Sequence, residues 1–540
     1  MDRLPLEIYN QITSYLSFNE KRKLLLVCRY WHNTIKNDNL FNNFGIKGHL
    51  KFKAAALFFN ENKLHRKQVR NLRLTKPEAD LDYILAVPER FPWIQDFVWA
   101  NYGVNEEETA IDEEQVKHWN HLSSFGEVNR YPLSTKILKY GGFGSLTKLT
   151  VSFHFSGASC SSLVQQLTNA PKLKHIDFAS PNMTLADLEQ LHLNTPQLEI
   201  LYLSGVVQEE NDDNFPERHE SEVASIADRL TTLWMRNMKF SSGGFGLTSA
   251  WMSYMAAKYR HLNCLTIDGV GMMRGRQDYY ESRLTDIAAG CPHITSYKVN
   301  LFPVTPMILS AMDSNHIKLK RVDLTGDPTE DQIQHLLRSQ QCQSLETMII
   351  DTTQLSPNVL FNALEGFAKL KHVEIGYKHR ESVSLDVVLQ KLRYLETLKL
   401  SAWHIWLDKH AVGSVQTRLK SLVLENSDID NTDADVMSFL ASACPDLSRL
   451  SIQGQVQDSN RVFRVEFPHH YFTTIKLDIF GTEYYRVDNQ RQTTWYQFSG
   501  RKLVQSHPDD QEIPKDQPHV SIVYQGSASL NIGGTDIPNW

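Results

Sequence analysis
The chain has 540 residues, 41% of them hydrophobic and 22% charged, with a formal net charge of −6. That balance fits a folded globular protein, and the lack of any run of eighteen apolar residues argues against a membrane-spanning helix. The charge is uneven: residues 1–76 hold fifteen Lys/Arg against five Asp/Glu, a balance of +10, and the rest carries −16.

The first element reads "LPLEIYNQITSYL". Leu4, Ile8, Ile12, Tyr15 and Leu16 fall on one stripe of a helix, and Pro5 suits a first turn. "SFNE" at Ser17–Glu20 has the form of a capping box and opens a second helix bearing Leu24, Leu25, Val27 and Cys28. Trp31 and Ile35 continue the apolar series on a third. Three helices this short cannot make a self-sufficient core, so the head leans on a partner or on the next domain. "MDRLPLEIYN" has no basic segment before an apolar core, so no secretory leader is expected. Six widely spaced cysteines read as reduced thiols, which places the protein in the cytoplasm and/or nucleus.

From Val69 onward one pattern recurs: apolar-x-x-apolar-x-apolar. It appears as "VRNLRL" at Val69 and "IQDFVW" at Ile94, then without a break from "LTKLTV" at Leu146 to "LSRLSI" at Leu447. The steps between Leu146 and Leu447 are 27, 25, 32, 32, 32, 25, 26, 25, 25, 24 and 28 residues. The step from Ile94 to Leu146 is 52, two units, of which the middle one is degenerate and carries the acidic "NEEETAIDEE". "FTTIKL" at Phe472 follows Leu447 by 25. Each unit is a short strand plus a return, and returns such as "TLADLEQLHLNTP" and "DADVMSFLASACP" have helical spacing. A unit of this size buries its apolar face only by stacking on neighbours. The expected fold is α/β: a leucine-rich-repeat solenoid, a horseshoe with parallel strands concave and helices convex. Past residue 480 the rhythm gives way to alternating strands. The domain plan is 1–40 helical head, 41–68 helical linker, 69–480 solenoid, and 481–540 strand-rich C-terminal cap.

The head residues resemble an F-box: Leu4-Pro5, Ile8, Ile12 and Leu16, then Val27-Cys28-Arg29 and Trp31. The segment after it is similar to the linker between F-box and leucine-rich repeats in fungal F-box proteins. The resemblance implies docking onto a Skp-type adaptor, and through it a cullin, by Leu4, Pro5, Ile8, Ile12, Leu16, Val27, Cys28 and Trp31. Lys21 and Arg22 stand where that family usually has two leucines. The implied role is substrate receptor of a Skp–cullin–F-box ubiquitin ligase, not an enzyme, with the repeats holding an unknown target protein. The alternative is a repeat scaffold that recruits no ligase.

Other chemistries have weak signatures. "DGVGMMRG" at Asp268–Gly275 lacks the spacing of a dinucleotide loop and reads as a loop insertion. The twenty-one histidines show no metal-ligand spacing, so neither a metal nor a cofactor is expected. Residues between the apolar strand positions face the hollow. Tyr202, Trp234, Arg236, Asp268, Lys298 and Arg321 are the candidate target-binding set, with Tyr202, Trp234 and Thr266 in one lateral row. Their mixed charge favours a protein or peptide over nucleic acid.

Overall fold
The structure is a computed structural model of the full chain. It describes residues 16, 21, 23–26, 32, 40–76, 81–100, 111, 113–129, 132–153, 159–208, 227–240, 246–268, 277–299, 304–408, 416–430, 435–457, 462–488, 493–499, 502–506, 518–527 and 529–537. It divides into two units, Met1–His293 and Ile294–Trp540.

In the first unit nine strands pair in parallel and in chain order. They are β1 (Asn43–Lys47), β2 (Asn71–Thr75), β3 (Asp96–Ala100), β4 (Ser124–Asn129), β5 (Lys148–Phe153), β6 (His175–Ala179), β7 (Ile200–Ser204), β8 (Thr232–Arg236) and β9 (Cys264–Asp268). Alternate side chains point to opposite faces, so Leu149, Val151, Ile176, Phe178, Leu201, Leu203, Leu233 and Met235 line the core at 0–1% exposure. Parallel neighbours need a crossover, and helices supply it. Among them are α1 (His49–Glu61), α2 (Leu133–Lys139), α3 (Leu185–Asn194) and α4 (Ser249–Lys258). The "TLADLEQLHLN" return forms α3, held at its start by a reciprocal box in which Thr184 accepts from the Asp187 N–H and Asp187 accepts from that of Thr184.

Two rungs differ from the sequence-based plan. Part of the 41–68 linker is a strand: Phe41, Phe44 and Ile46 repeat the apolar spacing with phenylalanines, 28 residues before Val69, and β1 pairs with β2 in full register. The degenerate unit is β4, whose spacing is Leu122, Phe125, Glu127. Glu127 occupies the third core position at 1% exposure. Its carboxylate accepts from the N–H groups of Leu133 at 2.8 Å and Ser134 at 3.0 Å, and from the Ser134 hydroxyl. Pro132, at the N-cap of α2, offers no side-chain acceptor, so the neighbouring strand supplies one.

Between α3 and α4 lies a buried polar network. The Lys258 ammonium, fully buried, donates to Glu189 Oε1 at 2.8 Å, and the Tyr254 hydroxyl donates to Oε2 at 2.6 Å. Next to it His192 Nε2 and the Tyr259 hydroxyl are 2.9 Å apart. Burial first, and the Lys258 charge second, push the His192 imidazole down to about 3.

The second unit continues the same construction with β10 (Ser296–Val299), β11 (Arg321–Leu324), β12 (Thr347–Thr352), β13 (His372–Tyr377), β14 (Thr397–Ser401), β15 (Ser421–Asp430) and β16 (Arg449–Gln457). The register shifts between Leu424 and Ser427, opposite Gly454. A Cβ on Gly454 would lie 1.9 Å from the Ser427 carbonyl oxygen, so only glycine fits that approach.

The C-terminal region departs from the expected boundary at residue 480. β17 (Val462–Phe472) already leaves the ladder and joins β19 (Tyr484–Asp488), β20 (Thr493–Ser499), β21 (Lys502–Ser506) and β22 (His519–Ser527) in a separate five-stranded sheet. Between them β18 (Thr474–Ile479) returns to pair with β16. β23 (Leu530–Ile532) then adds one parallel rung to β18 and is closed by the antiparallel β24 (Thr535–Ile537). Phe463, Val465 and Phe467 bury one face of β17 by strict alternation, a strand pattern that carries no information on which sheet it joins.

Five described cysteines, Cys160, Cys264, Cys291, Cys342 and Cys444, are free thiols. Among the described residues no helix is long and apolar enough to cross a membrane. The acidic run at 105–110 and the glycine loop at 269–275 lie outside the described residues.

Candidate functional site: the solvent face of the repeat strands
Parallel register turns single residues into lateral rows whose neighbours are about 4.8 Å apart. In the first unit Thr150, Asp177, Tyr202, Trp234 and Thr266 form one row across β5–β9. Tyr202 and Trp234 meet edge to face, ring centres 5.0 Å apart at 85°, and His175 meets Tyr202 in the same way at 5.0 Å and 80°. Trp234 stays 36% exposed, so the pair presents an apolar surface that the described residues leave partly open. Arg236 and Asp268 are register partners on β8 and β9, one row further along.

Two neighbours were not among the sequence candidates although they occupy the same alternating positions. Burial holds the His175 imidazole below its usual range, with the Lys148 charge acting in the same direction, and the buried Nε2 has no hydrogen-bond partner among the described residues. Burial likewise raises the Asp177 carboxyl, against the opposing pull of Lys148. The aromatic row is thus bordered by two polar groups already partly stripped of water. Such a patch has little to lose when a ligand removes the rest.

Lys298 and Arg321 belong to the second unit, on β10 and β11. Arg321 is not an open anchor: its guanidinium grips Asp323 on the same strand, Nε to Oδ1 at 3.1 Å and Nη2 to Oδ2 at 3.4 Å. Lys298 is the register partner of Asp323. The six candidates therefore separate into Tyr202, Trp234, Arg236 and Asp268 on one unit, and Lys298 with Arg321 on the other. Among the described residues there is no group of three or more His, Cys, Asp or Glu able to hold a metal.

Of the head candidates, Leu16 is half-buried, and Leu4, Pro5, Ile8, Ile12, Val27, Cys28 and Trp31 lie outside the described residues. Lys21 is buried at 1% exposure, and burial lowers its ammonium pKa; Leu26 is 87% exposed. Residues 1–47 match the family model described as F-box-like. The F-box-like match ends at the last residue of β1, so the head runs straight into the first rung of the ladder.

No curated protein matches the chain. Several solved structures resemble it. An internalin (InlF) of Listeria monocytogenes is 17% identical over 60% of this chain and 84% of that one, TM-score 0.33. The Rad7 and Elc1 complex of yeast gives 14%, 74% and 84%, TM-score 0.36. The leucine-rich-repeat protein LegL7 of Legionella pneumophila gives 14%, 54% and 97%, TM-score 0.33. The leucine-rich-repeat fold of this chain rests on its own strand register and core rather than on these distant likenesses.

Proposed function
We propose that this chain is the substrate-recognition subunit of a Skp–cullin–F-box ubiquitin ligase. The head would dock a Skp-type adaptor, and the strand face of the repeats would hold a target protein. The observation that carries this reading is the joining of an F-box-like segment, residues 1–47, to a ladder with the partly exposed Tyr202–Trp234 pair on its strand face. In this role the chain does no bond chemistry. It raises the effective concentration of the target beside the ubiquitin-charged enzyme, which converts an encounter between two molecules into a reaction within one complex.

Co-purification of the full chain with a Skp-type adaptor tests the first half. Capture is expected, and Leu4→Ala with Pro5→Ala should abolish it; capture that survives both changes, or no capture by the unaltered chain, overturns the assignment. For the second half, Trp234→Ala should leave adaptor capture intact and remove co-purifying targets. The cost of losing a central aromatic anchor is typically about 2 kcal/mol or more, a reduction of roughly thirtyfold in affinity. An unchanged set of co-purifying proteins would remove the aromatic row from the target site.

A further inference from the structure
The strand face of the second unit holds a cavity of about 310 Å³ whose lining includes Asp351, Glu374, Gly376, Lys399 and Glu425. We propose that it receives the arginine side chain of a partner polypeptide, an inference that rests on the reading of the repeats as a target-binding surface.

One glycine shapes the cavity floor. On β12, β13 and β14 the register aligns Asp351, Gly376 and Ser401 in one row, and Ile349, Glu374 and Lys399 in the row beside it. A Cβ at Gly376 would lie 2.5 Å from Asp351 Oδ1, so the missing side chain is what lets the Asp351 carboxylate lean over β13. Asp351 and Glu374 thus line the cavity from adjacent strands, their Cα atoms about 8 Å apart by strand spacing and rise.

The charges around that floor are not balanced. Lys399 is committed to Glu425, Nζ to Oε2 at 3.0 Å. Lys378, an exposed residue, is the second cation of the lining, which leaves two cations against the three carboxylates of Asp351, Glu374 and Glu425. Asp351 and Glu374 have no hydrogen bond or ion pair among the described residues. A cation is therefore the complementary occupant, and an anion is disfavoured. A divalent metal does not suit the site, since no ligand cluster forms among the described residues. A planar guanidinium does: it has two donor edges, is weakly hydrated, and can serve one carboxylate with each edge. The cavity is set in a strand surface, so a long side chain delivered by a chain lying across the strands reaches its floor.

An immobilised array of random peptides of about twelve residues, probed with the full-length protein, tests this. Bound peptides should be enriched in arginine, and replacing that arginine by citrulline should weaken binding by about tenfold or more. The Asp351→Asn/Glu374→Gln variant, and separately Gly376→Val, should lose the same peptides. Bound peptides without arginine, lysine peptides held as well as arginine ones, or a profile that the variants reproduce would each overturn it. Adaptor capture by the same variants reads the ligase proposal separately. It should be unchanged, and its failure in the unaltered chain would leave the array result standing.

Discussion

Acidification should weaken the first unit through His192. In the unfolded chain an imidazole titrates near 6.5, whereas in the fold burial and Lys258 hold this one at about 3. The folded state therefore resists the proton that the unfolded state accepts. The stability that this neutral histidine contributes is fully present above about pH 6.5 and is lost as pH falls toward 3. The slope for one proton is about 1.4 kcal/mol per pH unit, so the loss between about pH 6.5 and 5 is about 2 kcal/mol. His192→Gln can keep a hydrogen bond to the Tyr259 hydroxyl while removing the titration. Hydrogen exchange on peptides spanning α3 and α4, corrected for intrinsic rates, measures the opening free energy of this element whatever the other unit does. The wild type should lose about 2 kcal/mol more than His192→Gln over that range. Equal losses would mean that His192 is already protonated or solvated in the fold, and the argument from burial would be wrong.

Two further outcomes follow from the core. Glu127→Leu restores the repeat's apolar spacing yet should destabilise the first unit by about 1–3 kcal/mol in urea unfolding, because the Leu133 and Ser134 N–H groups lose their acceptor; a more stable variant would refute the capping role. Burial pushes the Cys291 thiol to about 12 and the Cys444 thiol to about 11, and raises Cys160 further. Among the five described thiols, iodoacetamide at about pH 8 should therefore modify the half-buried Cys264 and Cys342 first, with mass spectrometry finding Cys160, Cys291 and Cys444 labelled only after unfolding.

The ladder was readable in the chain because period is a local property. An apolar residue two positions from the next, at steps of 24 to 32, dictates a strand with one buried face wherever it occurs. The same alternation makes Tyr202, Trp234 and Thr266 lateral neighbours, since parallel register follows from equal motif positions. The unit of β4 is legible only as a gap of two repeat lengths, because glutamate stands at its third core position, and β1 lies in a segment whose resemblance to a helical linker hides its strand. Glu127 in particular is apolar in neither type nor pattern, and its burial depends on donors six and seven residues away.

What sequence alone determined is the repeat, its core face and the F-box-like head. What only tertiary structure decided is where charge is spent: Arg321 on its own Asp323, Lys399 on Glu425, Lys258 inside the helices with Glu189. It also decided which sheet takes β17, and that Asp351 and Glu374 line one cavity with no partner among the described residues. The reason is physical. Alternation says which face a side chain points to, but pairing energies depend on distances between strands that the chain brings together from some 25 residues apart.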